Sequence, residues 1–285
     1  MSDLLHLPDV TLCCVDTRSV PQALHALRRC MDQVRFRRVL FLGPQRDAQR
    51  HPLPEGVDWV PIPELKGIED YNRIMLRELA AHIHTSHVLI VQWDGFITHP
   101  QLWRPDFLSV DYIGPPWYHG GHPGMVGNGG FSLRSRRLLD ALASLHDLDT
   151  RQPEDMVICV ERRAELEQKH AIRFATLEMA QHFGCEYGDY RPSFGFHGMH
   201  NFARVLDERE LAEWLNSAPK AIIVHQHARK LVKSLMACGR VSESVQLLRL
   251  RARHLGWTWD HCMLLLRAHA SRLRSRDVKL TSAAP

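Results

Sequence analysis

Short apolar, β-branched runs alternate with segments of helical period over the first hundred residues of this chain. Val10-Thr-Leu-Cys-Cys-Val15 is an apolar run stopped by Asp16, which predicts a buried strand. Pro21 then suits the first turn of a helix, along which Ala23, Leu24, Leu27, Cys30, Met31 and Val34 recur at helical spacing. Val39-Leu-Phe-Leu42, closed by Gly43-Pro44, reads as a second strand. Val57 to Ile62 reads as a third, near a sheet edge because Pro61 has no N–H for a ladder. Tyr71 to Ile83 predicts an amphipathic helix and Val88 to Val91 a fourth strand. This order of elements implies a mostly parallel sheet covered by helices.

The rhythm changes after Asp94. Residues 100–130 hold five prolines and many glycines, with short strands such as Tyr112-Ile113. Phe131 to Arg134 predicts a strand, Ser135 to Leu145 a helix and Glu154 to His170 another, whereas 184–201 reads as an aromatic-rich loop. From Leu211 onwards the pattern is helical. Lys230–Ala237, Val241–His254 and His261–Arg274 are successive amphipathic stretches broken at Gly239 and Gly256. The division expected is a domain over residues 1–222 and a basic helical extension over 223–285.

At 285 residues and 45% apolar content, the chain can bury a full core. No apolar run reaches the ~20 residues needed to span a bilayer. The N-terminus lacks the basic, apolar and small-residue pattern of a signal peptide. These features predict a cytoplasmic protein. The seven cysteines form no Cys-x-x-Cys pair and predict reduced thiols rather than a disulfide framework or a zinc site. The net charge of +4 hides an asymmetry. From His225 to Pro285 twelve Lys and Arg face three Asp and Glu, a local +9 that leaves −5 for residues 1–224. A basic tail on an acidic body fits either a solvated helical face or contact with an anionic partner, such as the inner face of a membrane.

Several residues are candidates for chemistry. In open α/β sheets ligands bind beyond the carboxyl ends of strands, where Asp16 and Asp94 both fall. After Gln92 and Trp93, Asp94 offers a hard oxygen suited to Mg²⁺ or Mn²⁺ on a diphosphate; an acid there equally serves to cap a turn. Gly127-Asn128-Gly129-Gly130 lets the backbone approach a sugar or phosphate, or simply makes an Asn-Gly turn. It is neither a phosphate-binding Walker loop nor a dinucleotide fingerprint. Glu154 and Asp155 follow Pro153 at a helix start, where acids suit the dipole and where a carboxylate can also serve as general base for a hydroxyl. Of the nineteen histidines, His197 sits in the most site-like surroundings, between aromatics and glycines. The pairs His119/His122 and His197/His200 have metal-compatible spacing without a regular helix to fix it.

Taken in order, Gln92-Trp-Asp-Gly-Phe96, Asp111-Tyr-Ile-Gly-Pro-Pro-Trp117, Gly127 to Ser135, Glu154-Asp155 and Phe194-Gly-Phe-His197 resemble DUF5672, a bacterial and fungal family of glycosyltransferases similar to GT-A folds. The resemblance runs from about Val10 to about Asn201. It implies an α/β, GT-A-like sheet binding a nucleotide-diphospho-sugar, with a C-terminal helical extension outside the match. It further implies Asp94 and His197 as ligands of Mn²⁺ or Mg²⁺, and Asp155 with Glu154 as the catalytic acids of an inverting transfer. Asp16, Tyr71, Asn72, Gln92, Trp93, Trp117, Asn128, Gly129 and Gly130 are implied as donor and acceptor contacts. Gln92 departs from the pattern, standing where the family's metal motif has its first acid, which puts metal dependence in question. Trp93, Trp117 and Tyr118 can stack on sugar or base faces or pack in the core. The expected reaction is transfer of a sugar to a hydroxyl of a glycan, lipid-linked or protein acceptor. A non-catalytic scaffold binding a partner through its tail and a nucleotide-sugar hydrolase are the rival readings.

Overall fold

The computed structural model describes residues 4–47, 50–118 and 125–268. They form two compact units, residues 1–197 and 198–285. The boundary expected at 222/223 falls inside a helix of the second unit, Lys220–Val224. The His119/His122 pair and the stretch beyond residue 268 lie outside the described residues.

The first unit is built on a six-stranded sheet. Its strands are β1 (Leu5–Val15), β2 (Val34–Pro44), β3 (Val57–Ile62), β4 (His87–Val91), β6 (Tyr112–Ile113) and β7 (Phe131–Ser135). The spatial order is β3-β2-β1-β4-β7-β6. The first four strands run parallel, while β7 is antiparallel to both β4 and β6. The expectation of a mostly parallel α/β sheet with helices therefore holds, with Pro61 on the edge strand β3. Helix α1 (Val20–Met31) carries Pro21 in its first turn and buries Ala23, Leu24, Leu27 and Cys30. The helix expected over Tyr71–Ile83 begins earlier and is irregular: α2 (Ile68–Arg73) continues as a π-helical turn and then a 3₁₀ turn. Ser135 ends β7 and caps α3 (Arg136–Ser144), its hydroxyl accepting the Leu138 amide at 3.0 Å.

A second, three-stranded sheet joins β5 (Phe96–Ile97) to β8 (Gly184–Cys185) and β9 (Gly195–Phe196), the last two from the segment read as loop, in the order β5-β9-β8. Two-residue strands carry no periodicity, so no pattern announces them. Phe96 and Phe196 meet edge-on with ring centroids 4.7 Å apart. Gly195 makes room for the ring of Phe131, which would lie 2.1 Å from a Cβ there.

Asp111 ties β6 to its surroundings. Its carboxylate accepts from the Ser135 hydroxyl (2.6 Å), the Arg173 amide (2.7 Å) and the Arg137 guanidinium. Burial pushes the Asp111 carboxyl up, but these donors outweigh it and hold it below the usual carboxylate range. A depressed folded value means stability that is present above the unfolded pKa of ~3.9 and lost as pH falls through the folded value. Asp111→Asn is therefore expected to cost about 1–3 kcal/mol at pH 7. The variant's urea midpoint should also fall less steeply than wild type below pH ~4. Parallel midpoint-against-pH curves for the two proteins would contradict this assignment.

The second unit is helical: α7 (Phe202–Val205), α8 (Glu208–Ser217), α9 (Lys220–Val224), α10 (Gln226–Ala237), α11 (Val241–Leu255) and a last stretch over residues 259–268. Asp207 and Glu210 form a reciprocal capping box at the head of α8. Breaks fall at Gly239 and Gly256, both at positive φ, where glycine is favoured. Basic residues of the tail are partly consumed internally. Arg240 donates to carbonyls of Ala203 and Leu206, buried Arg251 to those of Ile223 and His225, and Arg229 pairs with Asp260. Among the described residues no helix is long and apolar enough to cross a membrane. All seven cysteines are free thiols, five of them buried.

Candidate active site

The chain steps from β1 outward to β2 and β3, then returns to place β4 on the other side of β1. That reversal creates a crevice beyond the carboxyl ends of β1 and β4, where Asp16 and Gln92-Trp93-Asp94 emerge. Two adjoining cavities open there. One, of about 310 Å³, is lined by Asp16, Arg18, Tyr71, Gln92 and Trp93. The other, of about 380 Å³, is lined by Tyr71, Asn72, Gln92, Trp117, the Asn128–Gly130 turn, Glu154, Asp155, Glu186 and His197. Tyr71 and Gln92 belong to both, and the Gln92 amide donates to the Tyr71 hydroxyl at 2.9 Å.

The small sheet assembles the charged centre. Asp94 lies just before β5, His197 just after its antiparallel partner β9, and Glu186 just after β8, which runs parallel to β9. All three side chains consequently meet at one edge. His197 Nε2 is 3.3 Å from Asp94 Oδ1 and 3.2 Å from Gln92 Oε1, and its Nδ1 is 3.3 Å from Glu186 Oε1. Burial disfavours charge on His197, but Asp94 and Glu186 outweigh it and raise the imidazole well above its ordinary value. The Asn128 amide donates to the other oxygen of Glu186.

These residues fit a hard divalent ion. Neighbouring ligands around an ion with ~2.1 Å bonds lie about 3 Å apart, close to the His197–Asp94 and His197–Gln92 spacings. Glu186 on Nδ1 would then orient the ring, as carboxylates do for ligating histidines. Among the described residues no group of three or more His, Cys, Asp or Glu stands as a complete metal site. Asp94 and His197 are two, and the neutral Gln92 amide is beside them. Substrate phosphate and water would complete such a shell.

Asp155 faces the same cavity. Its Oδ2 accepts the Gly129 amide at 3.2 Å and its Oδ1 the Met156 amide at 2.9 Å. Burial pushes the carboxyl up, and the two amides pull it only part of the way back. Glu154 has a different setting. It is buried against Arg134, which is fully buried, with Nη2 2.9 Å from Glu154 Oε1. Burial also pushes the Glu154 carboxyl up, opposed by Arg134. Arg134 Nη2 and the Ser132 hydroxyl both reach the Gly129 carbonyl, at 3.4 and 3.0 Å, so Gly129 is held through its carbonyl as well as through the N–H it gives to Asp155.

Other expected contacts have structural partners of their own. Asp16 Oδ1 accepts the amides of Arg18 (2.7 Å) and Ser19 (2.5 Å) at the start of α1, and burial pushes its carboxyl up. Asn72, fully buried, donates to the carbonyls of Thr150 and Gln152 and so anchors the loop that leads to Asp155. The glycines of the 127–130 turn are required by the protein itself rather than only by a ligand. A Cβ on Gly127 would lie 2.2 Å from the Trp117 ring, on Gly129 1.9 Å from Glu154 and on Gly130 2.2 Å from His197. Asn128 takes a left-handed conformation, φ 61°.

Glu186, Arg134 and Arg18 were not foreseen as site residues. Glu186 follows a strand as Asp94 does, but β8 is only two residues long. Arg134 has a clearer mark, a charge in an otherwise fully buried strand.

Residues 57–197, just under half of the chain, match the profile of DUF5672, described as a protein of unknown function. No curated protein matches the sequence. Solved structures similar to this chain include the mannosyltransferase PcManGT from Pyrobaculum calidifontis in complex with GDP-Man and Mn²⁺. It is 15% identical with a TM-score of 0.39, over 95% of this chain and 90% of that one. The apo-form glycosyltransferase GlyE of Streptococcus pneumoniae TIGR4 is 10% identical with a TM-score of 0.42, over 73% of this chain and 60% of that one. A second GlyE structure is 13% identical with a TM-score of 0.36, over 59% and 45%.

Proposed function

We propose that this protein is a glycosyltransferase that moves a sugar from a nucleotide-diphospho-sugar to an acceptor hydroxyl with inversion. The observation that carries the reading is the pair of adjoining cavities at the β1/β4 crevice. One is sized for a nucleoside beside Asp16 and Trp93; the other is lined by His197 and Asp155, with buried Asp94 3.3 Å from the His197 ring. Each of the ordered motifs that resemble a GT-A-like family puts at least one residue on these walls: Gln92 and Trp93, Trp117, Asn128 to Gly130, Glu154 and Asp155, and His197.

Around the second cavity Asp94, Asp155 and Glu186 outnumber the charge of His197, so a bound diphosphate calls for a cation beside it. Mn²⁺ or Mg²⁺ held by Asp94 and by a His197 that gives up its proton to bind, with Gln92 adjacent, would neutralise charge on the departing diphosphate. Asp155 accepts the proton of the acceptor hydroxyl, and the burial that raises its pKa makes it a stronger base than a solvated carboxylate. As the proton leaves, the acceptor oxygen bonds the anomeric carbon and the bond from that carbon to the diphosphate breaks. Arg134 and Ser132 keep Gly129, and through it Asp155, in place.

A thermal-shift screen of UDP-, GDP-, CDP- and dTDP-sugars with Mn²⁺, Mg²⁺ or EDTA tests the reading. A donor at 100 times its dissociation constant adds about 2.7 kcal/mol, a shift of degrees. The expected result is one responsive nucleotide, a shift abolished by EDTA, and loss of that metal dependence in Asp94→Asn. No shift with any donor would favour the scaffold reading, and donor breakdown that acceptor does not stimulate would favour the hydrolase.

The tail suggests where the acceptor is met. Trp257 and Trp259 are 56% and 80% exposed next to the exposed Arg253. Tryptophan and arginine together suit the headgroup layer of an anionic membrane on the cytoplasmic side. Flotation with phosphatidylserine vesicles should carry the protein upward at low salt and release it at high salt; salt-insensitive behaviour would remove the idea.

A further inference from the structure

A third cavity, of about 290 Å³, borders the catalytic one. Tyr187 lines both, and two chain segments form the partition between them. Along residues 116–118, Trp117 lines the catalytic cavity while Pro116 and Tyr118 line the third; along 186–188, Glu186 lines the first and Gly188 the other. The Tyr118 ring is 45% exposed, and its hydroxyl accepts from Gln181 at 3.0 Å, which fixes the ring plane. Gly188 lies against the ring at φ +85°; a Cβ there would only touch the ring, at 3.4 Å, so the left-handed backbone rather than crowding calls for glycine.

The chemistry of this lining is selective. Two tyrosines offer apolar faces with polar rims, and Gln181, Asp189 and Arg191 offer both donors and acceptors. Asp189 and Arg191 carry opposite charges, so the cavity has no excess of positive charge to hold a phosphate. Stacking faces with mixed, charge-balanced hydrogen bonding match a neutral sugar ring, whose C–H face is apolar and whose edge is hydroxylated.

We propose that this cavity is the acceptor subsite for the sugar unit next to the one attacked, so that the acceptor is a neutral oligosaccharide. The inference rests on the transferase reading above. With its penultimate ring against Tyr118 and Tyr187, the acceptor projects its terminal unit past Tyr187 toward Asp155. The terminal hydroxyl oxygen bonds the donor's anomeric carbon and its proton passes to Asp155. The carbon–oxygen bond to the diphosphate breaks, and the nucleoside diphosphate leaves with the electron pair.

The test is a ligand-observed NMR titration of the full chain with neutral di- and trisaccharides of glucose, mannose, galactose and N-acetylglucosamine. At least one should bind wild type. Tyr118→Ala and Gln181→Ala should each weaken it at least about tenfold. They should also raise the acceptor KM in proportion, with kcat and the donor-induced thermal shift retained. Tyr118→Phe, which keeps the ring, should stay within about threefold of wild type and controls for folding. Undiminished binding in both alanine variants overturns the proposal, as does wild type that binds no neutral saccharide. Saccharide binding that depends on Tyr118 without a shift from any nucleotide sugar keeps the subsite and removes the transferase reading. A donor shift without saccharide binding does the reverse.

Discussion

Asp155→Asn is expected to lower kcat for sugar transfer by about 10²–10⁴-fold, the usual contribution of a positioned general base. Donor binding should survive, because Asp155 contacts the protein through Gly129 and Met156 rather than through the crevice at β1. The substitution is not silent in the fold. An amide has one acceptor oxygen where the carboxylate uses two, so one backbone N–H loses its partner at a cost of about 1–3 kcal/mol. Steady-state kinetics should therefore be read at a temperature well below the variant's own Tm. A kcat within a few-fold of wild type would remove Asp155 as the base. Parallel loss of turnover and of the donor-induced shift would assign it a structural role.

Arg134→Met is expected to cost about 3–5 kcal/mol, the penalty for leaving a buried ionised partner uncompensated. Arg134 is fully buried and Glu154 is 4% exposed, so water cannot take over the lost interaction. The double variant Arg134→Met/Glu154→Gln removes both charges and should recover a large part of that loss, which a urea double-mutant cycle measures. A double variant destabilised by the sum of the Arg134→Met and Glu154→Gln losses would show that the pair is not coupled. Because Arg134 also holds the Gly129 carbonyl, the recovered double variant should still transfer sugar more slowly than wild type. Recovery of stability with full recovery of rate would show that Ser132 alone suffices to position that peptide.

The two experiments separate neighbouring acids that sequence alone treats as a pair. Glu154 and Asp155 are adjacent at the head of α4 (Glu154–Met156), and both suit a helix dipole. Only the direction of each side chain distinguishes them: one points into a buried arginine, the other toward a cavity and two amides. No periodicity encodes that difference, because a three-residue helical turn has no pattern to read.

How much could be read in advance follows from how local each feature is. The strands β1, β2 and β4 and helix α1 were legible because their burial runs or repeats over five or more residues, long enough for the apolar pattern to stand out. Pro61 marked the edge strand through its missing N–H. Asp16 and Asp94 were legible as residues at strand ends. The left-handed Asn128 and the glycines around it marked a turn, but not its reason. Close packing of Trp117, Glu154 and His197 on the bare backbone needs three distant segments in place.

Composition and pattern thus determined the class of the fold and the location of the β1 and β4 carboxyl ends, whereas Tyr71, Asn72 and Trp117 entered only through the resemblance. Three-dimensional contacts alone joined Asp94, Glu186 and His197, the first and last of them more than a hundred positions apart, through strands of two residues each. They also fixed the division of the chain at 197/198 and turned several tail arginines into internal ties. The physical reason is the same in each case. A repeating element advertises itself through its period, whereas a charged site depends on which segments meet, and that is set by the packing of the whole unit.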